Sequence, residues 1–333
     1  MSAPIGVGLV GYGKAGRGFH EPLIQSVDGL NLTRIVKGRA DTAGFEALLA
    51  DREIAAVVIA TPNESHFDLA RRSLLAGKHV VVDKPFTVTS DEAQALIDVA
   101  RDQQRILTVF HNRRWEGDFR TLRRLIDEKA LGRVVLYEAR FDRFRNAPRP
   151  GAWREGSGPG TGILYDLGSH LIDQALVLFG VPRRITADIR TERSFGESDD
   201  AFDLWLHYPQ IKVSLTAGML VREPTPRFTI RGTEGTFVKS GLDPQEAALA
   251  AGRSPREEGW GREPREQWGT IISDRGEETI ETLPGAYQAF YENLRDAIAG
   301  RELLIVDPEQ ARTTIEIIEA AARSSRDRRS VDL

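Results

Sequence analysis

The chain has 333 residues, a length that favours about two domains with substantial cores. Charged residues make up 28% and apolar residues 41% of the chain, a balance typical of a globular protein rather than a disordered one. A formal net charge of -4 leaves no basic excess to neutralise a phosphate backbone, which argues against a general nucleic-acid-binding protein. The chain contains no cysteine, which excludes disulfides, thiolate metal sites and a cysteine nucleophile.

The N-terminal segment MSAPIGVGLVG has no basic region, so we interpret it as a first strand rather than a signal peptide. No stretch reaches the roughly 20 apolar residues that cross a membrane. Together with the absence of cysteine, this pattern predicts a cytoplasmic protein without a membrane partner.

The first hundred residues alternate short apolar runs with helical patterns. Buried strands are predicted at 5–10, 32–36, 55–60, 79–83 and 106–110. Helices are predicted near 14–27, 41–50, 64–76 and 90–104, with Ser65 and Ser90 as expected N-caps of the last two. Strands and helices that alternate in this way indicate right-handed βαβ units and a parallel sheet.

From about residue 133 the apolar pattern alternates more strictly. Strands are predicted within 133–144, 183–192, 203–209, 212–220, 227–232 and 235–240. Helical patterns occur near 117–130, 166–179, 286–299 and 308–324, and 251–268 is predicted to be a surface loop. We therefore predict an α/β protein with a Rossmann dinucleotide-binding domain over 1–120. An α+β domain with a large, mainly antiparallel sheet is predicted over 121–333.

A G-x-G-x-x-G motif lies between the first strand and the first helix. Its residues Gly11, Gly13, Lys14, Ala15 and Gly16 are the predicted contacts of a cofactor pyrophosphate. Glycines here permit a tight turn and close approach of the ligand, and the helix N-terminus supplies N–H groups. A glycine-rich turn without a ligand is the alternative, but the strand, the helix and the βαβ pattern favour dinucleotide binding.

The end of the second strand predicts which dinucleotide binds. An NAD-binding domain places a carboxylate there to hold the ribose 2'-hydroxyl, whereas this sequence has Lys37 and Arg39. These cations favour the 2'-phosphate of NADP. The alternative is that both are ordinary surface charges and that Asp41 holds the ribose of NAD.

Polar residues also follow the third and fourth strands, at the sheet edge where ligands of open α/β sheets bind. The segment 58–67 contains Thr61, Pro62, Asn63 and His66, and the segment 79–88 contains Asp83 and Lys84. We predict that they lie beside the cofactor. In isolation, a surface lysine that follows a strand would be the better interpretation of Lys84.

A third polar pattern lies in the segment 160–180. Asp166 and His170 are four residues apart, so on a helix they share one face. A histidine with a carboxylate one turn away can act as an oriented general base. A histidine with a purely structural role is the alternative by pattern alone.

The segments GYGKAG, TPNESH, DKP and DLGSHLID together resemble one family over essentially the whole chain. It is the glucose-fructose oxidoreductase, inositol dehydrogenase and rhizopine-catabolism family (Gfo/Idh/MocA) of NAD(P)-dependent sugar and polyol oxidoreductases. Within it, VVVDKPFTVT, FHNRRW, FDRFR and GLDPQE most resemble the NADP-dependent scyllo-inositol dehydrogenases.

The resemblance implies roles for residues of this chain. The family's Glu-Lys-Pro motif falls on Lys84, with Asp83 in place of the glutamate, and its Asp-x-x-x-His motif falls on Asp166 and His170. His170 would take the hydroxyl proton, Lys84 would hydrogen-bond the reacting oxygen, and Asp166 would position the substrate and the base. The predicted substrate contacts are Asn112, Arg113, Trp153 and Tyr165, with Arg154 also near the pocket, whereas Arg114 and Trp115 suit a structural role.

Two function classes follow. The first is an oxidoreductase that acts on a cyclic polyol or sugar, and the second is a non-catalytic NADP-binding sensor with the same fold. A metal site is not predicted, because the six histidines show no paired ligand spacing. An antiparallel sheet with an uncovered face favours pairing, so a homodimer or homotetramer is expected.

Overall fold

The computed structural model describes residues 3–149, 151–223 and 225–333. It divides into two compact units. The first runs to residue 115 and also includes 244–261 and 286–312, and the second comprises 116–243, 262–285 and 313–333. Each unit thus combines segments that are distant in sequence. The predicted domain boundary after residue 120 stays a prediction.

A parallel sheet forms the core of the first unit. Its strands are β1 (Ile5–Val10), β2 (Leu30–Val36), β3 (Ile54–Ile59), β4 (His79–Val82) and β5 (Leu107–Val109). Among the described residues they pair in the order β2-β1-β3-β4-β5, with all neighbours parallel. The chain places β2 on one side of β1 and β3 on the other, so the order reverses at β1. This switch point opens a crevice at the carboxyl ends of the strands, as the predicted Rossmann fold requires.

Helices connect these strands. They are α1 (Glu21–Ser26), preceded by a π-helical turn Gly16–His20, then α2 (Thr42–Ala50), α3 (His66–Leu75) and α4 (Ser90–Asp102). The N-cap prediction for α4 is wrong by one residue. Thr89 accepts the N–H of Glu92, and Glu92 in turn accepts the N–H of Thr89. This capping box satisfies two helix-end donors at once, which Ser90 inside the first turn cannot do. Ser65 occupies the N-cap position of α3 without a capping bond.

Residues from the C-terminal half complete the first unit with α7 (Gln245–Ala250) and α8 (Gln288–Ile298). Gln245 is fully buried and anchors this region. Its amide donates to the carbonyl of Trp115 at 3.2 Å, and its side-chain oxygen accepts the indole N–H of Trp260 at 3.1 Å and the N–H of Tyr287 at 2.7 Å. The surface-loop prediction for 251–268 is therefore wrong for Trp260, which is buried, and also for Glu263.

The second unit is built on a larger sheet. Its strands are β6 (Val134–Asp142), β7 (Arg184–Arg190), β8 (Ala201–His207), β9 (Lys212–Gly218), β10 (Phe228–Gly232), β11 (Thr236–Lys239), β12 (Gly269–Ser273), β13 (Gly276–Ile280) and β14 (Val331–Asp332). The order is β13-β12-β11-β10-β6-β9-β8-β7-β14. In the described ranges β6 and β9 run parallel and the other neighbours run antiparallel. The mainly antiparallel sheet predicted from the sequence is thus confirmed.

Three of these strands, β12, β13 and β14, were not predicted. β13 has four exposed residues of five, and β14 has two residues. Neither carries the apolar alternation on which strand prediction depends. Helices α5 (Gly117–Asp127), α6 (Ser169–Phe179) and α9 (Pro308–Asp327) complete the elements of this part of the chain. No helix in the described ranges is both long and apolar enough to cross a membrane.

We predict that His79 makes the stability of the fold pH-dependent. It begins β4, where its Nδ1 accepts the N–H of Ile106 at 3.0 Å. Burial, aided by the positive charge of Arg105, lowers the pKa of His79 from 6.5 to about 4. The folded state thus favours the neutral ring, so its contribution is complete above pH 6.5 and is lost as the pH falls towards 4. The expected decrease in the free energy of unfolding is on the order of 1–3 kcal/mol, allowing for partial solvation of the ring.

The test compares the wild type with H79N, because an asparagine oxygen can accept the same N–H without titrating in this range. Urea unfolding at pH 7 and pH 4.5 should show a smaller loss of unfolding free energy for H79N than for the wild type. H207N, which replaces an exposed histidine, should behave as the wild type does. An equal loss in the wild type and H79N would contradict the assignment.

Candidate functional site

The glycine loop after β1 is shaped by close backbone contacts. Gly11 has a φ of +99°, and a Cβ there would lie 2.4 Å from the carbonyl oxygen of Ala60. A Cβ on Gly16 would lie 2.0 Å from the carbonyl oxygen of Gly11. Both positions therefore require glycine for the loop itself. A Cβ on Gly13, by contrast, would meet no atom within 4 Å, so the loop is open on that side.

This loop fits a dinucleotide pyrophosphate. Helical conformation begins at Lys14 and Ala15 and continues through the π-helical turn into α1. The first N–H groups of a helix lack partners within the helix and carry partial positive charge, which suits a phosphate. The Lys14 ammonium adds a cation at the same point. The open side at Gly13 leaves room for the ligand.

The loop after β2 carries the predicted cations. Lys37 is exposed, and its carbonyl accepts the N–H of Tyr12 at 3.0 Å. Arg39 forms an exposed ion pair with Glu64, a residue from the loop after β3. The alternative ribose ligand, Asp41, is the N-cap of α2 and accepts the N–H of Gly44 at 2.9 Å. One oxygen of the Asp41 carboxylate is thus used to stabilise a helix end.

His66 ties the loop after β3 to the loop after β4. The ring is fully buried, with Nε2 2.9 Å from the carbonyl oxygen of Thr61 and Nδ1 2.9 Å from that of Pro85. Burial lowers the pKa of His66, although Asp83 and the facing carbonyls act in the opposite direction. Each ring nitrogen faces a backbone carbonyl oxygen, and a neutral ring donates its one N–H to one of the two. His66, a predicted cofactor contact, therefore lies between the loops after β3 and β4 and helps to hold them together.

Neighbouring side chains complete the loop after β3. Pro62 precedes a 3-10 turn, Asn63–Ser65, and Asn63 is buried. The hydroxyl of Ser65 lies 2.7 Å from both Thr61 Oγ1 and the carbonyl oxygen of Pro62, so it can donate to the carbonyl and accept from the Thr61 hydroxyl. These bonds fix the loop in a compact form beside the switch point of the sheet.

Lys84, which the sequence predicts to lie beside the cofactor, follows β4. The Oδ1 atom of buried Asp83 accepts the N–H of Lys84 at 2.9 Å, and the peptide bond between Lys84 and Pro85 is cis. Asp83 Oδ1 also lies 3.7 Å from Nε2 of His20, a fully buried residue that ends the π-helical turn after the glycine loop. The turn that carries Lys84 is thus packed against the cofactor loop through a buried histidine.

A short 3-10 turn, Asn112–Trp115, follows β5. Asn112 is buried, and Arg113 lies 3.5 Å from one carboxylate oxygen of Glu246, whose other oxygen lies 3.0 Å from the Lys14 ammonium. Arg114 donates to the carbonyl of Ile305 at 3.0 Å and to Gln310 at 2.9 Å, and Trp115 packs edge-on against Phe290. Arg114 and Trp115 therefore have the structural contacts that we expected. Glu246 links a predicted cofactor contact with a predicted substrate contact.

In the second unit, Asp166 and His170 lie on one continuous helical segment. It begins as a π-helical turn, Leu164–Gly168, and continues as α6, so it starts two residues earlier than predicted and winds more widely at Asp166. π-Helical turns of this kind are frequent at functional sites. The Asp166 side chain is 28% exposed, whereas His170 is 4% exposed and packs near the ring of Phe141. The carboxylate is therefore accessible to a solute, and the imidazole is largely shielded from water.

Asp199 fixes the start of this helical segment. Its carboxylate accepts the N–H of Leu164 at 2.8 Å, and its carbonyl accepts the N–H of Ile163 at 2.9 Å. Gly162, with a φ of +91°, lets the carboxylate approach, because a Cβ there would lie 1.9 Å from Asp199 Oδ1. Burial raises the pKa of Asp199.

The loop before this helix holds the other predicted substrate contacts. Trp153 and Arg154 lie in a 3-10 turn, with the guanidinium 4.4 Å from the indole centroid, and Arg154 Nε lies 3.4 Å from Asp166 Oδ1. Tyr165 is half-buried beside Asp166. Ion pairs of Glu155 with Arg145 at 2.7 Å and Arg193 at 2.9 Å anchor the loop. Arg154 is thus close to both Trp153 and Asp166, and the role of Trp153 and Tyr165 as substrate contacts stays a prediction.

Sequence reasoning missed His20, Glu246 and Asp199. His20 lies four residues after Gly16 and could have been noted as a histidine on the motif helix. Asp199 stands in an acidic run, ESDD, directly before a strand. Glu246 ends the GLDPQE segment, which carried a resemblance but no indication of its contacts, because more than 130 residues separate it from the segments that it contacts. No cluster of three or more histidine or acidic side chains suited to a metal ion occurs in the described part of the chain.

Models of both domains of one oxidoreductase family match the chain. The model of its NAD-binding Rossmann fold matches residues 5–111, and the model of its C-terminal alpha/beta domain matches residues 123–333. The first of these residue ranges contains the glycine loop and Lys84, and the second contains Asp166 and His170.

Relatives match over their whole length. The uncharacterized oxidoreductase YdgJ of Escherichia coli is 44% identical over all of both chains. The NADP(+)-dependent scyllo-inositol 2-dehydrogenase IolW of Bacillus subtilis is 37% identical over 99% of this chain and 96% of its own. The solved structure of the YvaA protein of Bacillus subtilis superposes with a TM-score of 0.95 at 36% identity, over 100% of this chain and 99% of that one. Since both family domains match in order and span nearly the whole sequence, the chain belongs to the Gfo/Idh/MocA oxidoreductase family.

Proposed function

We propose that this protein is an NADP-dependent oxidoreductase that interconverts a secondary hydroxyl and a ketone on a cyclic polyol or sugar, with scyllo-inositol as the first candidate. The observation that carries the proposal is the pair of Asp166 and His170 on consecutive turns of one helical segment, anchored by Asp199. Similarity to IolW over nearly its full length supports the substrate class and the cofactor.

The chain's own residues supply proton transfer and positioning. Bound NADP would supply the hydride acceptor for oxidation of the substrate carbon, and bound NADPH would supply the hydride donor for the reverse reaction. In the direction of oxidation, His170 takes the proton from the hydroxyl oxygen, and its shielding from water favours transfer within the site. Lys84 donates a hydrogen bond to the same oxygen. Asp166, which is accessible to solute, accepts a hydrogen bond from a neighbouring substrate hydroxyl and helps orient the base.

The proposed cofactor preference depends on Lys37 and Arg39. Arg39 forms an exposed ion pair with Glu64, which is worth about 0–1 kcal/mol and can be exchanged for a stronger charge-assisted contact to a 2'-phosphate. Asp41 is engaged as a helix cap, which makes it a poorer candidate for the ribose hydroxyl of NAD.

A substrate screen tests the function directly. Purified protein should reduce NADP faster than NAD, monitored at the nicotinamide absorbance, with inositols or aldoses as substrates. The reverse reaction with keto-inoses should oxidise NADPH. Tight NADP binding without turnover of any polyol, sugar or ketone would instead favour the non-catalytic sensor.

Removal of Arg39 or Lys37 tests the cofactor preference. R39A and K37A should each weaken NADP binding by about 1.5–3 kcal/mol, roughly tenfold or more, because a contact to the 2'-phosphate is lost. NAD binding should change little, since NAD lacks that phosphate. The measurement is the Kd for each dinucleotide by calorimetry.

R72A is the matched control for these variants, because Arg72 forms an exposed ion pair with Glu46 in the same unit. It should leave both affinities unchanged. Equal losses for NADP and NAD in R39A and K37A would contradict the assignment.

Replacement of His170 tests the general base. H170A should lower kcat by roughly 10²- to 10⁴-fold while the Kd for NADP stays near that of the wild type, because the residue acts on the substrate proton. The pH profile for oxidation should also lose its lower limb, which reports the imidazole becoming neutral. H207A, which removes an exposed histidine of the same unit, should change neither. An active H170A enzyme with an unchanged profile would identify Lys84 or a water molecule as the base.

A further inference from the structure

Three buried polar side chains, those of Tyr291, His20 and Asp83, form a row that ends at the residue before Lys84. The hydroxyl of Tyr291, on α8, lies 2.6 Å from Nδ1 of His20, and Nε2 of His20 lies 3.7 Å from Oδ1 of Asp83. Both His20 and Tyr291 are fully buried, and Asp83 is nearly so. The proton-transfer scheme above uses neither His20 nor Tyr291. The burial of polar groups costs free energy unless they are paired, so three such groups in a row are expected to have a role in the structure or in the reaction.

The geometry fixes the tautomer of His20. Burial, with the charge of Asp83 as a second cause, raises the pKa of Tyr291 well above its ordinary value, so its hydroxyl stays protonated. The Asp83 carboxylate faces Nε2 at 3.7 Å and favours a proton on that nitrogen, so Nδ1 is left to accept the hydrogen bond that the Tyr291 hydroxyl donates. The ring proton then sits on Nε2, the nitrogen that faces the Asp83 carboxylate.

The surroundings of His20 restrain the ring in this orientation. The ring of Phe110, after β5, packs on it at a centroid distance of 4.5 Å, and the ring of Tyr291 meets it edge-on. The charge of Asp83 also acts to raise the pKa of His66 against the larger effect of burial, and Nδ1 of His66 lies near the carbonyl oxygens of Pro85 and Phe86. The turn of residues 83–86 thus faces one histidine from the helix after the glycine loop, whose Nε2 lies 3.7 Å from Asp83, and another from α3, whose Nδ1 lies 2.9 Å from the carbonyl oxygen of Pro85.

We propose that His20 is a positioning residue for Lys84, which directs its Nε2–H at the Asp83 carboxylate and, through the Asp83–Lys84 hydrogen bond, fixes the turn that presents the lysine. Tyr291 sets the direction of the imidazole by donating to its other nitrogen. The row also couples the glycine loop to the Lys84 turn, because His20 lies one helical turn beyond Gly16. The inference rests on the proposed function in one respect, namely that Lys84 takes part in the reaction.

Two amide substitutions separate positioning from packing. In H20Q the side-chain nitrogen can take the place of Nε2 and donate to Asp83, whereas in H20N the amide reaches only the position of Nδ1. H20N should lower kcat by about tenfold or more, since misplacement by an ångström can cost about 100-fold. H20Q should retain at least about a third of the wild-type kcat. The Kd for NADP should stay within about twofold in both variants.

An NMR experiment tests the proposal without depending on turnover. The ¹⁵N NMR spectrum of His20 in the wild type should show the Nε2–H tautomer, with Nδ1 as acceptor. Y291F should shift the ring towards the other tautomer and move the Lys84 amide resonance. Y287F removes the hydroxyl of another buried tyrosine of the same unit and should do neither. These measurements remain decisive if no polyol is turned over, or if the His20 variants do not fold.

Three results would overturn the proposal. The first is an Nδ1–H tautomer in the wild type. The second is an unchanged Lys84 amide resonance in Y291F. The third is equal kcat in H20N and H20Q, which would mean that the ring only fills space.

Discussion

The backbone loops at the carboxyl edge of the parallel sheet must keep fixed positions relative to one another, and buried imidazoles provide that constraint. His66 joins the loops after β3 and β4 through two backbone carbonyls, and His20 faces Asp83 from the helix that follows β1. Strand pairing alone fixes only the strands. The loops beyond the strand ends have left the ladder, so side chains must restrain them.

In the second unit, acidic residues restrain the loop and the helix start that carry Asp166. Asp199 accepts backbone N–H groups at the start of the segment that carries Asp166 and His170, and Asp200 and Glu155 form ion pairs with Arg193, whose side chain is nearly fully buried. Breaking one partner of a buried pair leaves an uncompensated charge, which costs about 3–5 kcal/mol. The arrangement therefore specifies one conformation for a loop whose glycine content would otherwise leave it free.

Many of the cations that the proposed ligands would meet are already matched with carboxylates. Arg39 pairs with Glu64, Lys14 with Glu246, and Arg154 with Asp166. Exposed pairs such as the first two contribute about 0–1 kcal/mol each, and salt screens them further. A phosphate or a polyol hydroxyl can thus replace such a partner at little cost. The same pairs hold long side chains near their working positions, which reduces the conformational entropy lost on binding.

The sequence by itself determined the parallel sheet, the mainly antiparallel sheet and the glycine loop, because these depend on local periodicity and on short spacings. The tertiary structure alone decided the contacts of His20, Glu246 and Asp199. Their partners lie far away along the chain, and no local pattern encodes such pairings. It also placed Thr89 rather than Ser90 at the helix cap, and it buried Trp260 in a segment whose composition indicated a surface loop. Both outcomes depend on which side chains the folded chain brings within hydrogen-bonding distance, and composition does not contain that information.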